Sequence, residues 1–317
     1  MSISFVIPVL NEEDSLLQLY KEIIQHSSSF LYEIIFIDDG SSDNSFNIIR
    51  SIIEQDDKVK VIRFRRNFGK AAALQIGFRL AKGDYIFTMD ADLQDDPKEI
   101  PNFIRKLEEG YDLVSGWKKQ RHDPLYKTLP SRLFNYITSH TFKLYIRDFN
   151  CGYKIYRKEV VKEIHIYGEM HRYIPVLANA LGYQVTEIPI NHRKRIYGKS
   201  KYGIERYMRG FFDLLTVKMV TRYSKSPLYL FGRIGVISVL LGVLLTGYLA
   251  FLKLFYAHPL TNRPLLFLGI LLILAGLQFV SMGLISELII NKSQPERSLQ
   301  ISVKETLNVD STEIDYH

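Results

Sequence analysis

Two long apolar segments place the strongest constraint on how this chain can fold. The 19 residues from Ile234 to Leu252 carry no charge, and neither do the 22 residues from Leu265 to Ser286. Because an α-helix rises about 1.5 Å per residue, each segment is long enough to cross the roughly 30 Å hydrocarbon core of a bilayer. We therefore predict two transmembrane helices, at about 234–256 and 265–290. The alternative is a helical hairpin buried in a soluble core, but buried core helices rarely stay apolar on every face.

Small residues recur along both apolar segments and favour close packing of the two helices. Without large side chains, two membrane helices can bring their backbones together. The residues concerned are Gly242, Gly247, Gly269, Ala275, Gly276 and Gly283.

Positive charge is concentrated just before the first apolar segment. Between Arg193 and Arg233 stand eleven Lys or Arg residues and only two acids, whereas the whole chain of 317 residues carries a net charge of +7. Lys and Arg are enriched on the cytoplasmic side of membrane helices, so we expect the N-terminal domain and both termini in the cytoplasm. The short Lys253–Pro264 loop would then lie on the far side. This position of the charge favours anionic lipid over nucleic acid as a partner.

The N-terminal residues and the single cysteine also bear on location. Ile3–Val9 runs directly into the acids Glu12 and Glu13, which does not resemble the basic start, apolar core and cleavage site of a secretory signal. Cys151 is the only cysteine, which excludes an intramolecular disulfide and a zinc site of several thiolates. These features predict an integral protein of the inner or plasma membrane whose N-terminal domain faces a reducing compartment.

Before the basic region, the chain alternates between apolar, β-branched segments and segments with helical periodicity. In the first periodic segment, Leu16, Leu19 and Ile23 fall on one helical face. The alternation predicts an α/β domain with a mostly parallel sheet flanked by helices. The predicted strands are Ile3–Pro8, Glu33–Asp38, Val59–Phe64 and Tyr85–Asp90, with shorter candidates at Leu113–Gly116, Gly152–Tyr156 and Val185–Ile190.

Two further segments differ from this domain in composition. Gly203–Ser224 mixes apolar with basic residues, as expected for an amphipathic helix on an anionic membrane surface; an ordinary surface helix of the domain is the alternative. After Lys292 the chain is polar and aperiodic, which predicts a mobile tail. The predicted organisation is a domain at 1–202, a juxtamembrane interfacial segment at 203–233, two transmembrane helices within 234–290 and a tail at 291–317.

Acidic residues follow three of the predicted strands. The segments are Asn11-Glu12-Glu13, Asp38-Asp39-Gly40 and Asp90-Ala91-Asp92-Leu93-Gln94. Ligands of an open parallel sheet bind beyond the carboxyl ends of its strands, so we expect these acids to converge on one crevice. Crowded carboxylates repel one another unless they are compensated, and a divalent metal that shares its ligands with phosphates would compensate them.

Asp90 and Asp92 have the spacing of a metal site. In an extended segment, side chains two residues apart point the same way, so both carboxylates would face the crevice with Gln94 as a third oxygen ligand. Two solvated turn acids are the alternative. The sequence has no G-x-x-x-x-G-K-[ST], G-x-G-x-x-G, H-E-x-x-H or G-x-S-x-G motif, which disfavours kinases, ATPases, dehydrogenases and the hydrolases that carry these motifs.

Five motifs together form a recognisable set. They are V-I-P-V-L-N-E at Val6–Glu12, D-D-G-S-S-D at Asp38–Asp43, R-N-F-G-K at Arg66–Lys70, D-A-D-L-Q-D-D-P at Asp90–Pro97 and R-I-Y-G-K-S-K-Y at Arg195–Tyr202. This set resembles the family 2 inverting glycosyltransferases of the GT-A fold, in the subgroup that acts on dolichyl or undecaprenyl phosphate. The resemblance extends from Ser4 to Lys292. It implies metal-dependent transfer of a sugar from a nucleotide-sugar, with a UDP-sugar as the expected donor, to polyprenyl phosphate.

The resemblance also implies roles in a donor site. Asp90 would contact the donor sugar or ribose, and Asp92 and Gln94 would hold Mg²⁺ or Mn²⁺. A helix that begins with a Lys is in any case suited to bind phosphate. The nucleobase and ribose would be held by Pro8, Asn11, Glu12, Asp38, Asp39 and Gly40, with Asn67, Gly69 and Lys70 near the donor.

The acceptor side requires positive charge, because a lipid phosphate must approach an anionic donor. The resemblance implies Arg121, Lys127, Ser131 and Arg195 as the acceptor-phosphate residues, and solvated surface charges are the alternative for Arg121 and Lys127. A phosphate monoester is already ionised near neutral pH, so in-line attack with inversion requires no dedicated base. Asp148 matches a family acid that either orients the acceptor or acts as a base. The expected catalytic group is therefore Asp90, Asp92, Asp148 and Arg195.

Two other functions share part of this pattern. A processive polysaccharide synthase would use the same donor half, but such enzymes resemble one another in a Q-x-x-R-W motif that this chain lacks; its only Trp is Trp117. A non-catalytic scaffold or nucleotide-sugar sensor would keep the fold, but the retention of both Asp90 and Asp92 argues against it. The expected partners are the nucleotide-sugar, the polyprenyl phosphate and the membrane, with a second copy of the chain as a further candidate.

Overall fold

The computed structural model describes residues 1–28, 30–119, 125–193, 205–223, 226–256, 264–292 and 303–308. The chain divides into two compact units. The first unit comprises Met1–Val217 and Ser298–His317, and the second comprises Lys218–Arg297.

A mixed sheet, with eight strands among the described residues, forms the centre of the first unit. The strands are β1 (Ser2–Val9), β2 (Leu31–Asp38), β3 (Val59–Phe64), β4 (Tyr85–Thr88), β5 (Leu113–Lys118), β6 (Lys154–Arg157), β7 (Val185–Ile190) and β8 (Val303–Leu307). Their order across the sheet is β7-β5-β6-β4-β1-β2-β3-β8. The neighbours β4, β1, β2 and β3 are parallel, whereas β6 and β8 run antiparallel to their partners. The mostly parallel α/β sheet predicted from the sequence is confirmed.

Helices cover both faces of this sheet. They are α1 (Leu16–Ser27), α2 (Ser45–Ile53), α3 (Lys70–Leu80), α4 (Ile100–Glu108), α5 (Leu125–Phe142), α6 (Lys158–Glu163), α7 (Ile174–Ala180) and α8 (Glu205–Arg222). Successive strand residues point to opposite faces. In β1, Phe5 and Ile7 therefore pack in the apolar layer that contains α1, α2 and α4, whereas Val6 packs in the layer that contains α3 and α7. Burial on both faces explains the near-continuous apolar character of the central strands.

The edge strand β8 differs from the mobile tail that the sequence predicted after Lys292. It pairs antiparallel with β3, where Thr306 lies opposite Ile62. The side-chain amide of Asn308 donates a hydrogen bond to the Val59 carbonyl (3.2 Å), and Leu307 packs against the core. Main-chain hydrogen bonds can add such a strand to a sheet edge whatever its side chains, so the residue pattern carries little signal for it.

Helix α8 contributes to the core of the first unit. Val217 is fully buried and Leu214 packs against the core, whereas Phe212 and Leu215 remain exposed. The boundary between the two compact units falls after Val217. The segment predicted to be interfacial at 203–233 is thus divided between the two units.

The second unit consists mainly of two apolar helices, α9 (Leu228–Tyr256) and α10 (Pro264–Lys292). The candidate membrane spans Leu228–Tyr256 and Pro264–Ile289 have mean hydropathies of 2.3 and 2.4 over 29 and 26 residues. Only 17% and 11% of their most apolar stretches are buried in the protein. A hairpin inside a soluble core would be mostly buried, so this exposure favours membrane helices.

Glycines form the contact between α9 and α10. A Cβ atom added to Gly242 would lie 2.6 Å from the Gly269 carbonyl oxygen, and one added to Gly276 would lie 2.6 Å from the Gly235 carbonyl oxygen. The backbones therefore approach too closely for any side chain at these positions, as the sequence predicted for Gly242, Gly269 and Gly276. Gly247 has no neighbouring atom in this contact.

Candidate functional site

The carboxyl ends of β4, β1, β2 and β3 lie at one edge of the sheet, because these neighbouring strands are parallel. The loops that follow them bring together the residues implied for the donor site. These are Pro8, Asn11 and Glu12 at the end of β1, Asp38–Gly40 after β2, Asn67–Lys70 after β3 and Asp90–Gln94 after β4. The acidic strand ends thus meet at one edge of the sheet, as predicted, and we call this region the donor crevice after the role that the resemblance implies.

Hydrogen bonds join the loops after β1 and β2. The Asn11 side-chain oxygen accepts the backbone N–H of Ser42 (2.8 Å), and the Asn11 N–H donates to the Ser41 hydroxyl (3.0 Å). The Glu12 N–H donates to the Ser45 hydroxyl (2.9 Å). Asn11 itself has a φ of 53°, a left-handed conformation that Asn tolerates better than most residues. The loops after β1 and β2 are therefore held together at this edge of the sheet.

The two acids after β2 are engaged within the protein. Asp38 is fully buried: one oxygen accepts the Ser41 N–H (2.8 Å) and the other lies 3.2 Å from Nε of Arg63. The Asp39 oxygens accept the N–H groups of Phe68 (2.6 Å) and Gly69 (2.9 Å). Burial raises the pKa of Asp39 despite these hydrogen bonds. Asp38 and Asp39 thus stabilise the loops that follow β2 and β3, and their role toward a ligand stays a prediction.

Gly40 allows the loops after β2 and β3 to meet. Its φ is 76°, and a Cβ atom there would lie 2.7 Å from the backbone carbon of Arg66. Only glycine satisfies both the conformation and the contact. Gly69, with a φ of 94°, then precedes Lys70, the first residue of α3.

Lys70 and Asp90 form an ion pair at the floor of the crevice. The pair lies over Gly152, where a Cβ atom would be 2.8 Å from the Asp90 carboxylate and 2.9 Å from the Lys70 ammonium nitrogen. Burial opposes ionisation of Asp90, but the charges of Lys70 and Lys118 outweigh it and lower the pKa to about 2. Asp90 is therefore ionised and compensated by an amino group of the protein itself.

The segment after β4 is a turn, which corrects the extended geometry expected for Asp90 and Asp92. Strand β4 ends at Thr88, Leu93 has a φ of 60°, and the Gln94 N–H donates to the Asp92 carboxylate (3.2 Å). Alternation along a strand therefore does not orient these side chains. Asp92 is only 7% exposed, so the alternative of two solvated turn acids does not describe it either.

Two lysines near these acids, the buried Lys154 and the partly buried Lys118, were missed in the sequence. Nζ of Lys118 lies 3.5 Å from the buried Asp95 carboxylate, and the ammonium of Lys154 donates to the Cys151 carbonyl. Desolvation lowers the pKa of Lys154 and raises that of Asp95. One available signal was a lysine inside the apolar segment Tyr153–Tyr156. These lysines supply part of the compensation that the sequence assigned to a metal.

His171 is a further residue beside the Lys70–Asp90 pair. Burial, together with the charges of Lys70 and Arg172, holds its pKa well below the usual value, so the ring is neutral near pH 7. Its Nδ1 atom has no hydrogen-bond partner among the described residues. His171 and Arg172 also match the family that the sequence resembles, but a lone histidine is more often structural, and its role depends on the neighbours that folding provides.

The oxygen ligands that this turn offers fit a divalent cation whose remaining ligands come from a bound molecule. Asp92 and Gln94 offer carboxylate and amide oxygens, the hard ligands that Mg²⁺ and Mn²⁺ prefer. Among the described residues, no group of three or more His, Cys, Asp or Glu side chains is placed to hold a metal. The phosphates of a bound nucleotide would complete the coordination shell.

The acceptor residues implied by the resemblance are only partly placed. Arg121 and Arg195 lie outside the described residues, as does the Lys127 side chain, although the Lys127 backbone belongs to α5. Ser131 lies on α5 and is partly exposed. Asp148 is 1% exposed and lies near the charges of Lys118 and Lys154. This burial favours an orienting role for Asp148 over that of a base exposed to the acceptor.

Comparison with known sequences identifies relatives over most of the chain. Residues 4–165 match the sequence profile of Glycosyl transferase family 2. A dodecaprenyl-phosphate galacturonate synthase from Rhizobium johnstonii is 35% identical over 296 residues, which cover 91% of this chain and 88% of that protein. An undecaprenyl-phosphate 4-deoxy-4-formamido-L-arabinose transferase from Shewanella sediminis is 38% identical over 291 residues, with coverages of 90% and 86%. Coverage of nine-tenths of the chain extends beyond the first unit into the apolar helices.

Solved structures share the fold of the first unit. Glucosyl-3-phosphoglycerate synthase from Mycobacterium tuberculosis, solved with phosphoglyceric acid, gives a TM-score of 0.54 at 19% identity and covers 69% of this chain and 79% of its own. The same protein with Mn²⁺, uridine diphosphate and phosphoglyceric acid gives a TM-score of 0.54 at 18% identity, with coverages of 69% and 78%. At this level of identity the likeness concerns the fold.

Proposed function

We propose that this chain, which belongs to glycosyl transferase family 2, transfers a sugar from a nucleoside-diphosphate sugar to the phosphate of a polyprenyl lipid. The observation that carries the proposal is the donor crevice, where the Asp90–Gln94 turn meets Lys70 in a chain with two exposed apolar helices. The acceptor class is supported by relatives named for dodecaprenyl and undecaprenyl phosphate, at 35% and 38% identity. A UDP-sugar is the expected donor.

In this proposal the nucleotide lies along the wall formed by the loops after β1 and β2. The residues that would hold the nucleobase and ribose are Pro8, Asn11, Glu12, Asp38, Asp39 and Gly40. The start of α3 and the Lys70 ammonium would attract the diphosphate, since N–H groups at a helix N-terminus favour anions. The Lys70 ammonium would then bind a phosphate oxygen in place of Asp90. The Asp90 carboxylate would then accept a hydrogen bond from a sugar hydroxyl.

Asp92 and Gln94 would hold Mg²⁺ or Mn²⁺ next to the diphosphate. When bound, the cation neutralises the charge that develops on the departing nucleoside diphosphate. Two features of the structure support this role. The turn offers carboxylate and amide oxygens as metal ligands, and Asp92 is almost completely buried. The cation thus adds to the compensation already provided by Lys70 and Lys118.

The acceptor supplies its own nucleophile. A phosphate monoester oxygen is ionised near neutral pH and attacks the anomeric carbon, while the bond from that carbon to the diphosphate oxygen breaks on the opposite side. Inversion follows from this in-line geometry, and no proton has to be removed from the nucleophile. Arg121, Lys127, Ser131 and Arg195 would hold the lipid phosphate, and Asp148 would orient it.

A cytoplasmic location of the catalytic unit is part of the same proposal. Strand β8 follows both apolar helices in the chain and still pairs with β3 of the catalytic sheet. If α9 and α10 both cross a membrane, the segments before and after them must therefore lie on the same side. The Lys and Arg residues before α9 favour the cytoplasmic side.

A transfer assay tests the proposal. Membranes containing the chain are incubated with polyprenyl phosphate, Mg²⁺ or Mn²⁺ and a panel of labelled nucleotide-sugars. We expect one donor to give a lipid-linked single sugar, with loss of transfer in chelator and in Asp92→Ala. Tight donor binding without transfer to any acceptor would favour a sensor or scaffold, and a polymeric product would favour a polysaccharide synthase. Full metal-dependent transfer by Asp92→Ala would contradict the metal assignment.

A further inference from the structure

Two consecutive residues after β7 attach a separate part of the chain to the turn that carries Gln94. We call His192–Arg193 the strap. Asp95 and His192 form an antiparallel β-bridge, and the Arg193 N–H donates to the Gln94 carbonyl (2.9 Å). The bridge, which includes this hydrogen bond, therefore fixes the backbone of the strap to the turn.

The side chain of Arg193 anchors the strap at a second point. Its guanidinium donates to the carboxylates of Asp96 and Glu22, each at 2.6 Å. Glu22 belongs to α1, so this arginine connects the turn to a helix of the core. Charge-assisted hydrogen bonds of this length are among the stronger contacts in proteins. The strap is consequently held in place independently of any ligand.

The side chain of His192 meets the side chain of Gln94. Nε2 of His192 lies 3.3 Å from Nε2 of Gln94, and His192 is only 7% exposed. With the amide nitrogen as the donor, the imidazole accepts through Nε2 in the tautomer that carries its proton on Nδ1. Because the amide is planar, a nitrogen directed at His192 turns the Gln94 oxygen away from the strap.

We infer that His192 is a positioning residue that holds the Gln94 amide with its oxygen toward the cation of the donor site. The inference rests on the proposed role of Gln94 as a metal ligand and extends it to the residue that sets the amide orientation. A rotated amide would present N–H groups to the cation and repel it. Residues that orient metal ligands in this way typically contribute about 10–100-fold to metal affinity.

Mn²⁺ binding to the purified full-length protein in detergent, with uridine diphosphate present, tests this role. Free Mn²⁺ is measured by electron paramagnetic resonance, so the readout does not depend on transfer. We expect His192→Ala to weaken Mn²⁺ binding by about 10–100-fold. His192→Gln, which retains an acceptor oxygen, should recover most of the affinity. Wild-type affinity in His192→Ala would overturn the inference.

A double-mutant cycle separates positioning from direct ligation. If His192 acts through Gln94, His192→Ala should have no further effect on Mn²⁺ affinity in a Gln94→Ala background. A further loss of about tenfold there would instead make His192 an independent ligand and would overturn the positioning role. His165→Ala serves as the matched control, since this histidine is exposed, and it should bind Mn²⁺ like the wild type.

Asp92→Ala distinguishes failure of the inference from failure of the proposed function. That variant should lose Mn²⁺ binding whether or not His192 positions Gln94. Retained binding in Asp92→Ala would count against the proposed metal site itself. Loss in Asp92→Ala together with unchanged binding in His192→Ala would overturn only the inference.

Discussion

At the floor of the donor crevice, the side chains of Asp90 and Lys70 occupy the space that a side chain at position 152 would need. Gly152 leaves no room for a Cβ atom beneath the Asp90–Lys70 pair. Burial of Asp90 would ordinarily favour its neutral form, yet the amino groups around it keep it ionised. The charges at this position are therefore set by residues from four different segments of the chain.

Gly152→Ala should disrupt this arrangement. The new methyl group would lie within 2.9 Å of both partners, so the Asp90 and Lys70 side chains must move. A displacement of about 1 Å at catalytic groups can lower a rate by about 100-fold, and we expect a loss of that order in kcat/KM for transfer. Steady-state kinetics on purified protein measures it. An unchanged kcat/KM would mean that the pair tolerates displacement.

His171 should make stability depend on pH. Its pKa in the folded protein is well below the usual value of about 6.5. As the pH falls, His171 therefore takes up a proton in the unfolded chain while it stays neutral in the folded protein. Stability should therefore be highest above pH 6.5 and decrease below it, by up to about 1.4 kcal/mol per pH unit for this one group. Thermal unfolding at pH 7.5 and pH 5.5 checks the sign, and His171→Gln should reduce the difference. An equal pH dependence in the variant would contradict this assignment.

At the scale of whole elements, the sheet is completed by a strand from far along the chain. Strand β8 pairs with β3, the strand that leads into the Arg66–Lys70 loop of the donor crevice. An uncovered β3 would expose unpaired N–H and carbonyl groups at the sheet edge. The C-terminal segment therefore protects the edge next to the donor site.

Removal of residues 301–317 should destabilise the first unit. The expected decrease in Tm is about 2–4 °C for each kcal/mol of lost strand pairing, and the exposed edge should increase aggregation. Differential scanning fluorimetry and light scattering in detergent measure both effects. A truncated chain with the Tm and solubility of the full chain would show that β8 contributes nothing to the sheet.

The contact between α9 and α10 depends on positions that admit no side chain. Gly276→Leu would force the helices apart at the Gly235 carbonyl, and overpacking of this kind typically costs about 1–3 kcal/mol. We expect a lower unfolding temperature in detergent for this variant. Gly247→Leu is the matched control, because Gly247 has no neighbouring atom in the contact, and it should behave like the wild type. Equal losses in both variants would mean that helix propensity and not packing is responsible.

For the molecule as a whole, the catalytic unit is interrupted by two apolar helices. The chain leaves this unit after Val217 and returns to it at Ser298. Two crossings of a membrane would restore the original side, which agrees with the distribution of Lys and Arg. The second unit thus places two helices that are long and apolar enough to cross a bilayer between the two chain segments of the first unit.

Labelling of introduced cysteines tests this topology. Cys151 is buried, and burial raises its pKa to about 12, so its background reactivity should be low. In intact cells, a membrane-impermeant maleimide should label Ala257→Cys, whose position in the sequence falls between the two apolar helices. Ser28→Cys, on the exposed end of α1, should be labelled only after the cells are opened. The reverse pattern would place the catalytic unit outside.

The sequence by itself determined the α/β sheet, the two apolar helices and the set of loops that form the crevice. Those features depend on local patterns: β-branched segments, apolar length, and acids placed directly after strands. Positions such as Asn11, Asp90 and Gln94 were found because strand ends of a parallel sheet necessarily share one edge.

Only the tertiary structure decided which side chains compensate the acids and how they are oriented. Asp38 and Asp39 accept hydrogen bonds within the loops, and Lys118 and Lys154 lie near acids as counter-charges. His192 faces Gln94, which is 98 positions away in the sequence. Desolvation and ion pairing depend on distances between residues remote in the chain, which no local pattern encodes. Strand β8 was hidden for the same reason, since its stability comes from backbone hydrogen bonds to β3 and not from its own residue pattern.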